Sequence, residues 1–295
     1  MVEDTPDDLV FELHNEALWG KHPLGYSILG TRETVKSLGV KELRALHARA
    51  YQPSRIVVVA TGNVEHDHLI DVLTKSGWMT RADGNGKPTS RRIPTIRPQS
   101  PSRRAVRRSG AQSHIVLGAP TLGYGDPRRH ALVLLSVVVG GGMSSRLFQR
   151  VREELGLAYS VYTFQTFYAD CGVHGVYVGT GPKTARDALH AIEEELDSVA
   201  QAGLPEAEVV QGKGQLKGQL TLSLESPTAR MYRAAAVELY GEPYRPLDEM
   251  LSLIDGIEAT TLHQLAREYL APKAQTVLTL GAAQTGAKRR TSRRG

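Results

Sequence analysis

Two stretches of this 295-residue chain, PSRIVVVATG at 53–62 and PKAQTVLTLG at 272–281, share a proline, an apolar run and a closing glycine. They lie 219 residues apart, and a helical pattern ends just before each of them (KELRALHARAY at 41–51, TTLHQLAREYL at 260–270). A helix that leads into a short apolar strand is one supersecondary unit. Its recurrence at a fixed offset predicts an internal duplication.

Only the second copy is complete, and it begins at about residue 107. The first copy would begin roughly 110 residues before Met1. The chain is therefore expected to be a two-repeat protein that lacks the front half of its first repeat.

The order of elements predicts an α+β fold, with an antiparallel sheet backed by helices in each repeat. In the second copy, strands at 113–119 and 275–280 enclose a hairpin of alternating apolar and polar residues at 158–167 and 172–180, followed by a block of helices. In the first, incomplete copy we expect a buried strand at 56–61. The predicted domains are the C-terminal part of a first domain at 1–83, a basic linker at 84–108, a complete second domain at 109–283 and a basic disordered tail at 284–295.

Composition favours a cytoplasmic protein without a membrane partner. No run of about 18 apolar residues occurs, so no segment is expected to span a membrane. The start, MVEDTPDD, is acidic and lacks the apolar core of a signal peptide. The single cysteine, Cys171, excludes an internal disulfide and a cysteine-based zinc site within one chain, which fits a reducing compartment.

The net charge of +5 comes from two segments. Residues 84–108 hold eight Lys or Arg and no acid, and residues 284–295 hold five more. Without these thirteen, 23 basic residues face 31 acidic ones. Neither segment contains an aromatic residue, whereas nucleic-acid binding favours a basic face on a folded element with interleaved aromatics. Solvated linker and tail is the favoured interpretation, and a nucleic-acid partner is not expected.

Two motifs of the second copy invite a functional interpretation. Gly140-Gly141-Gly142 lies between two helices, without the Lys-Ser/Thr ending of a phosphate loop, so it is interpreted as a structural break before a helix that starts at Ser144. Arg152 and Tyr159 lie seven residues apart across a predicted helix-to-strand turn. Both side chains are hydrogen-bond donors that could hold a carbonyl oxygen, although from spacing alone helix-end compensation and packing are the favoured interpretation of such residues.

No metal site is predicted. The motif H-x-x-E-H does not occur, and HAIEE at 190–194 has Glu194 where a second histidine would be needed. His66 and His68 lack a third ligand. His14, near two glutamates, is expected on the surface.

Several stretches together resemble the insulinase-type peptidases, a family that includes pitrilysin and the mitochondrial processing peptidases, and above all its small bacterial members. They are VEDTPDD at 2–8, HPLGYSILGT at 22–31, Y-x-P at 51–53, GNV at 62–64 and GGGMSSRLFQRVREELGLAYSV at 140–161. The resemblance covers roughly residues 1–282, apart from the linker.

The resemblance implies two related α+β domains and, in active members, a zinc ion held by H-x-x-E-H and a later glutamate in the first domain. It also implies that Arg152 and Tyr159 hold the substrate peptide. In similar proteins the third zinc ligand lies a few residues before VEDTPDD, so the resemblance places all metal ligands and the general base outside this sequence. Glu3 and Asp4 are not candidates to replace them.

The sequence is thus interpreted as the substrate-binding portion of an N-terminally truncated zinc metalloendopeptidase. No catalytic or metal-binding residue and no cofactor is expected in this chain, and zinc is implied for the full-length form. Whether the chain is an enzyme stays open. The expected partners are a peptide substrate and a second subunit, in a homo- or heterodimer. The alternative is a non-catalytic peptide-binding or scaffold subunit that partners an active peptidase.

Overall fold

The computed structural model describes residues 5–77 and 95–282, which belong to two compact units. Of the described residues, the first unit, called the sheet unit, contains 5–26, 96–216 and 252–282, and the second, called the helical unit, contains 27–77, 95 and 217–251. This division by contact differs from the predicted domains, whose boundaries follow the duplication along the chain and stay a prediction. The tail at 284–295 lies outside the described residues.

Helices and strands follow one another largely as predicted. The strands β1 to β5 are Arg103–Arg107, Ser113–Thr121, Ala158–Phe167, Gly172–Thr180 and Thr276–Gly281. The helices are α1 Pro6–Trp19, α2 Arg32–Ser37, α3 Val40–Ala50, α4 His66–Lys75, α5 Arg129–Gly140, α6 Ala185–Ala202, α7 Glu206–Ser223, α8 Pro227–Tyr240, α9 Leu247–Asp255 and α10 Ala259–Tyr269. Over residues 5–77 and 95–282, no helix combines the length and hydropathy needed for a membrane crossing. The cytoplasmic location stays a prediction.

The five strands form one sheet in the order β1-β5-β2-β4-β3. The predicted hairpin is confirmed, since β3 and β4 pair antiparallel from Ala158 opposite Thr180 to Phe167 opposite Gly172. The α+β prediction is confirmed as well, with one correction, because β1 pairs in parallel with β5 and the sheet is mixed. A second difference concerns the predicted linker at 84–108, part of which, Arg103–Arg107, is this edge strand.

Both faces of the central strands are buried, and different helices cover them. Ile115 and Leu117 of β2 pack with Leu132 of α5 and Ile192 of α6 on one face. Successive strand residues point to opposite faces, so Val116 lies on the other face. There it packs with residues of α1 and β5. The sheet is therefore a middle layer, with α1 on one side and α5, α6 and α10 on the other.

His14 of α1 is buried, which corrects the expectation of a surface residue. Its side chain is 1% exposed, and its Nε2 lies 3.1 Å from the carbonyl oxygen of Thr276. The ring fits because Gly118 has no side chain, as a Cβ there would lie 2.6 Å from His14 Cε1. Burial lowers the pKa of His14 to about 4, so the ring is neutral at pH 7.

The buried strand predicted at 56–61 is not formed in the structure. No described strand pairs with this segment, and Val58 is 46% exposed, although the first residue, Ile56, has extended backbone angles. Its counterpart in the second copy is β5, which has a neighbour on each side. In both copies a 3₁₀ turn, Pro53–Arg55 or Pro272–Ala274, precedes the segment. The local pattern was predicted correctly, but a strand also needs a partner for its backbone groups.

The burial of His14 predicts a pH-dependent stability. The folded-state pKa of about 4 lies below the ordinary value of 6.5, so the unfolded state binds more protons as the pH falls through this window. Stability due to this residue is therefore complete above pH 6.5 and is lost toward pH 4. Urea unfolding at pH 7 and pH 5 measures this effect. The wild type should lose free energy of unfolding between pH 7 and pH 5, and the loss in His14→Gln should be smaller by about 2 kcal/mol.

The exposed His66 provides the matched control. His66→Gln should keep the wild-type dependence on pH. Equal pH dependence of wild type and His14→Gln would contradict the account of a buried, neutral imidazole.

Candidate functional site

Arg152 lies in a π-helical turn, Phe148–Glu154, where an α-helix starting at Ser144 was predicted. The wider turn is visible in its hydrogen bonds, since the Leu155 N–H donates to the carbonyl of Arg150, five residues earlier, at 3.2 Å. Such turns interrupt the regular geometry of an α-helix and are frequent at functional sites. One of the two predicted peptide-binding residues, Arg152, therefore lies in an irregular helical segment.

The Arg152 guanidinium stacks on Phe148 and stays partly open to solvent. Its guanidinium carbon lies 4.8 Å from the ring centroid of Phe148, and the side chain is 44% exposed. Its Nε lies 3.8 Å from a carboxylate oxygen of Glu153, and such an exposed pair is weak. The guanidinium can therefore donate hydrogen bonds to a ligand.

Tyr159 is the extra residue of a β-bulge. Ala158 pairs with Thr180 and Ser160 pairs with Gly179, so Tyr159 has no partner in the ladder. A bulge bends its strand and redirects a side chain. The Tyr159 side chain is 61% exposed, and its hydroxyl lies 3.8 Å from the Cβ position of Gly181. The phenol is thus presented to solvent at the start of the edge strand β3.

The structure places both predicted residues at one connection. The π-helical turn ends at Glu154, Gly156 adopts a φ of 60°, and β3 begins at Ala158. The two side chains make no hydrogen bond to each other in the structure. Two exposed donors therefore flank a three-residue connection, residues 155–157.

The glycine run before this site is structural, as interpreted from the sequence. A Cβ on Gly140 would lie 2.7 Å from the backbone nitrogen of Thr163, so only glycine lets α5 approach β3 this closely. Gln215 of α7 donates to the carbonyl of Gly141 at 3.2 Å. Sequence reasoning missed the next anchor, Arg146, because its partners lie far away along the chain.

Arg146 connects the segment before the π-helical turn to two helices. Its Nε lies 3.2 Å from Glu195 of α6, and its Nη1 lies 3.1 Å from both carboxylate oxygens of Glu208 of α7. The side chain is 24% exposed, so these ion pairs are partly shielded from water. They hold the base of the segment from which Arg152 projects.

Sequence reasoning also missed a buried polar pair on the α1 side of the sheet. His114 Nδ1 lies 2.8 Å from the Tyr177 hydroxyl. Burial raises the pKa of Tyr177 to about 12, and burial lowers the pKa of His114 although the Asp7 carboxylate opposes this. Both groups are therefore uncharged at neutral pH. Strand alternation alone gives no signal that would single them out.

The described residues do not suit a zinc ion. Across 5–77 and 95–282, no three His, Cys, Asp or Glu side chains are grouped so that they could hold a metal. His190 and Glu194 lie 3.6 Å apart as an exposed pair on α6, and a zinc site needs at least one further ligand.

Comparisons with known proteins agree with this architecture. The sequence profile of a family described as "Peptidase M16 inactive domain" matches residues 37–216. An uncharacterized zinc protease of Streptomyces coelicolor is 37% identical over an alignment of 285 positions that covers 92% of this chain and 60% of that protein. An uncharacterized zinc protease of Bacillus subtilis is also 37% identical, over 91% of this chain and 64% of its own length. The chain thus spans less than two thirds of these relatives.

Solved structures show the same fold at low identity. A peptidase M16 inactive domain from Pseudomonas fluorescens has a TM-score of 0.80 at 18% identity, over 95% of this chain and 66% of that one. A protease from Helicobacter pylori has a TM-score of 0.82 at 19% identity, over 95% and 67% of the two chains.

The close approach at Gly140 predicts a sharp difference between two glycines. Gly140→Ala should lower the free energy of unfolding by about 1–3 kcal/mol, because the methyl group would overlap Thr163. Gly214→Ala on α7 is the control, since no atom lies within 4 Å of the added Cβ. It should leave stability unchanged or raise it by up to about 1 kcal/mol. Chemical denaturation measures both, and equal losses would contradict the tight contact at Gly140.

Proposed function

The chain belongs to the M16 peptidase family, and we propose that it is the substrate-binding portion of a zinc metalloendopeptidase of that family. In this proposal an extended peptide lies across the connection between the π-helical turn and β3. Arg152 and Tyr159 donate hydrogen bonds to its carbonyl oxygens. The relatives named zinc proteases support the reaction class.

One observation carries the assignment of the site. Two donors predicted from the sequence lie at two separate backbone irregularities, a π-helical turn and a β-bulge, and both are exposed. Departures from regular backbone geometry are frequent at functional sites, where they direct side chains toward a ligand. A guanidinium bond to a carbonyl contributes about 1.5–3 kcal/mol, and a phenol bond about 0.5–1.5 kcal/mol.

The described residues of this chain do not offer a set of ligands for zinc. In the family, zinc supplies the activated water that attacks the peptide bond. Because the described residues do not suit this ion, no step of hydrolysis is assigned to them. We propose that this chain binds peptide without cleaving it.

A second candidate function is a non-catalytic peptide-binding or scaffold subunit beside an active peptidase. One observation favours it: the helical unit exposes many large apolar side chains. Ile28 is 95% exposed, and α2, α3, α4 and α8 have no buried residue. Apolar surface of this kind is commonly covered by a partner. A homo- or heterodimer is therefore part of the proposal.

Peptide binding tests the two donors directly. Using fluorescence anisotropy with a labelled, unstructured peptide of about twenty residues, we expect Arg152→Ala to weaken binding about tenfold or more. Tyr159→Phe should weaken it about threefold to tenfold, because only one neutral hydrogen bond is lost.

A neighbouring arginine gives the matched control. Arg150 lies in the same π-helical turn and pairs with Glu154 at 2.8 Å, so Arg150→Ala should bind peptide like the wild type. If Arg150→Ala weakened binding as much as Arg152→Ala, general loss of positive charge would explain both and the assignment of Arg152 would be wrong.

Metal analysis tests the absence of hydrolysis. The purified chain, incubated with zinc and then desalted, should retain much less than one zinc ion per chain and should not cleave peptides. Stoichiometric zinc together with cleavage that a chelator abolishes would contradict the proposal.

A further inference from the structure

A cavity of about 450 Å³ lies at one end of the sheet, beside the candidate site, and its volume is within the range of ligand pockets. It is lined by the first turn of α1, the β1–β2 connection and residues of β2, β3, β4 and β5. Its polar lining side chains include Asp7, Arg108, Gln112, His114, Ser160 and Tyr177.

A hydrogen bond between Tyr177 and His114 gives this cavity an uncharged donor. The Tyr177 hydroxyl lies 2.8 Å from His114 Nδ1. We assign the ring proton of His114 to Nε2, because the Tyr177 hydroxyl can then donate to Nδ1. The buried ring is neutral, so its Nε2–H is a donor without charge.

The two charged groups of the lining have opposite signs. Asp7 contributes a carboxylate from α1, and Arg108 contributes a guanidinium from the β1–β2 connection. A ligand group with a net charge is attracted by one of them and repelled by the other. A neutral group with both a donor and an acceptor is compatible with both.

We propose that this cavity is a subsite for an uncharged polar side chain, glutamine or asparagine, of the bound peptide. A carboxamide oxygen accepts from His114 or Arg108, and the carboxamide NH₂ donates to Asp7. This inference rests on the proposed function, since the peptide is the one held by Arg152 and Tyr159.

The cavity lies within reach of such a peptide. Ser160 lines it and directly follows Tyr159 in β3. The Tyr177 hydroxyl lies 3.2 Å from the Cβ position of Gly179, and the Tyr159 hydroxyl lies 3.8 Å from that of Gly181. Two residues of a strand span about 7 Å, so an extended peptide in contact with Tyr159 reaches the cavity within two or three residues.

Matched peptides test the proposal on the full chain. For each position of one parent peptide, three variants are made that carry glutamine, glutamate or lysine at that position. The dissociation constant of each variant is measured. At one position the wild type should bind the glutamine peptide about fivefold better than the other two. Tyr177→Phe, which removes the hydrogen bond to His114 but keeps the ring, should reduce this preference.

Removing one charge should reverse the preference in a defined direction. Asp7→Asn leaves Arg108, so glutamate should become the best residue at that position. Arg108→Gln leaves Asp7, so lysine should become the best. Asp8→Asn and Arg107→Gln are the controls, because these neighbours do not line the cavity, and both should keep the wild-type preference.

The proposal is overturned if no position shows the glutamine preference, or if Asp7→Asn and Arg108→Gln change it no more than their controls do. Such a result leaves the proposed function intact as long as Arg152→Ala still weakens every peptide. If no peptide binds at all, both proposals are overturned.

Discussion

The double-sided burial of the central sheet is the constraint on which the rest of the structure depends. Every residue of β4 is buried, so this strand needs a layer of side chains on each face. The helices α5, α6 and α10 supply one layer, and α1, from the start of the chain, supplies the other. Burial of apolar area on both faces is the dominant favourable term for such a sheet. This burial packs α1 against strands that lie about a hundred residues or more after it along the chain.

The same constraint shapes the chemistry of the α1 side. The His14 ring packs against the sheet where Gly118 leaves room, and burial there lowers its pKa so that it is neutral. Tyr177 and His114 lie on the same face and satisfy each other across neighbouring strands. Where α1 begins, this face opens into the polar cavity next to Tyr159. The polar cavity thus lies at the end of the layered core where the covering helix starts.

Periodicity in the sequence predicted the elements well, because helices and hairpin strands repeat their apolar residues at fixed intervals. The hairpin of β3 and β4 and the helices from α5 onward are clear cases. Two failures have physical reasons. The segment 56–61 has the composition of a buried strand, but pairing depends on partners that periodicity does not reveal. His14 has polar neighbours along the chain, and its burial depends on a glycine 104 residues away.

The functional residues divide in the same way. Arg152 and Tyr159 could be proposed from the sequence through a family resemblance, since their motif is contiguous. The π-helical turn and the bulge that present them could not, because both are departures from the regular pattern. Arg146, His114 and Tyr177 act through partners distant along the chain, so only the folded structure shows their roles.

The crystal structure of this chain with a bound peptide is the most direct test of the central claim. The account predicts an extended peptide with carbonyl oxygens within about 3 Å of the Arg152 guanidinium and the Tyr159 hydroxyl. A peptide bound elsewhere on the chain, with these two side chains still exposed to solvent, would contradict it.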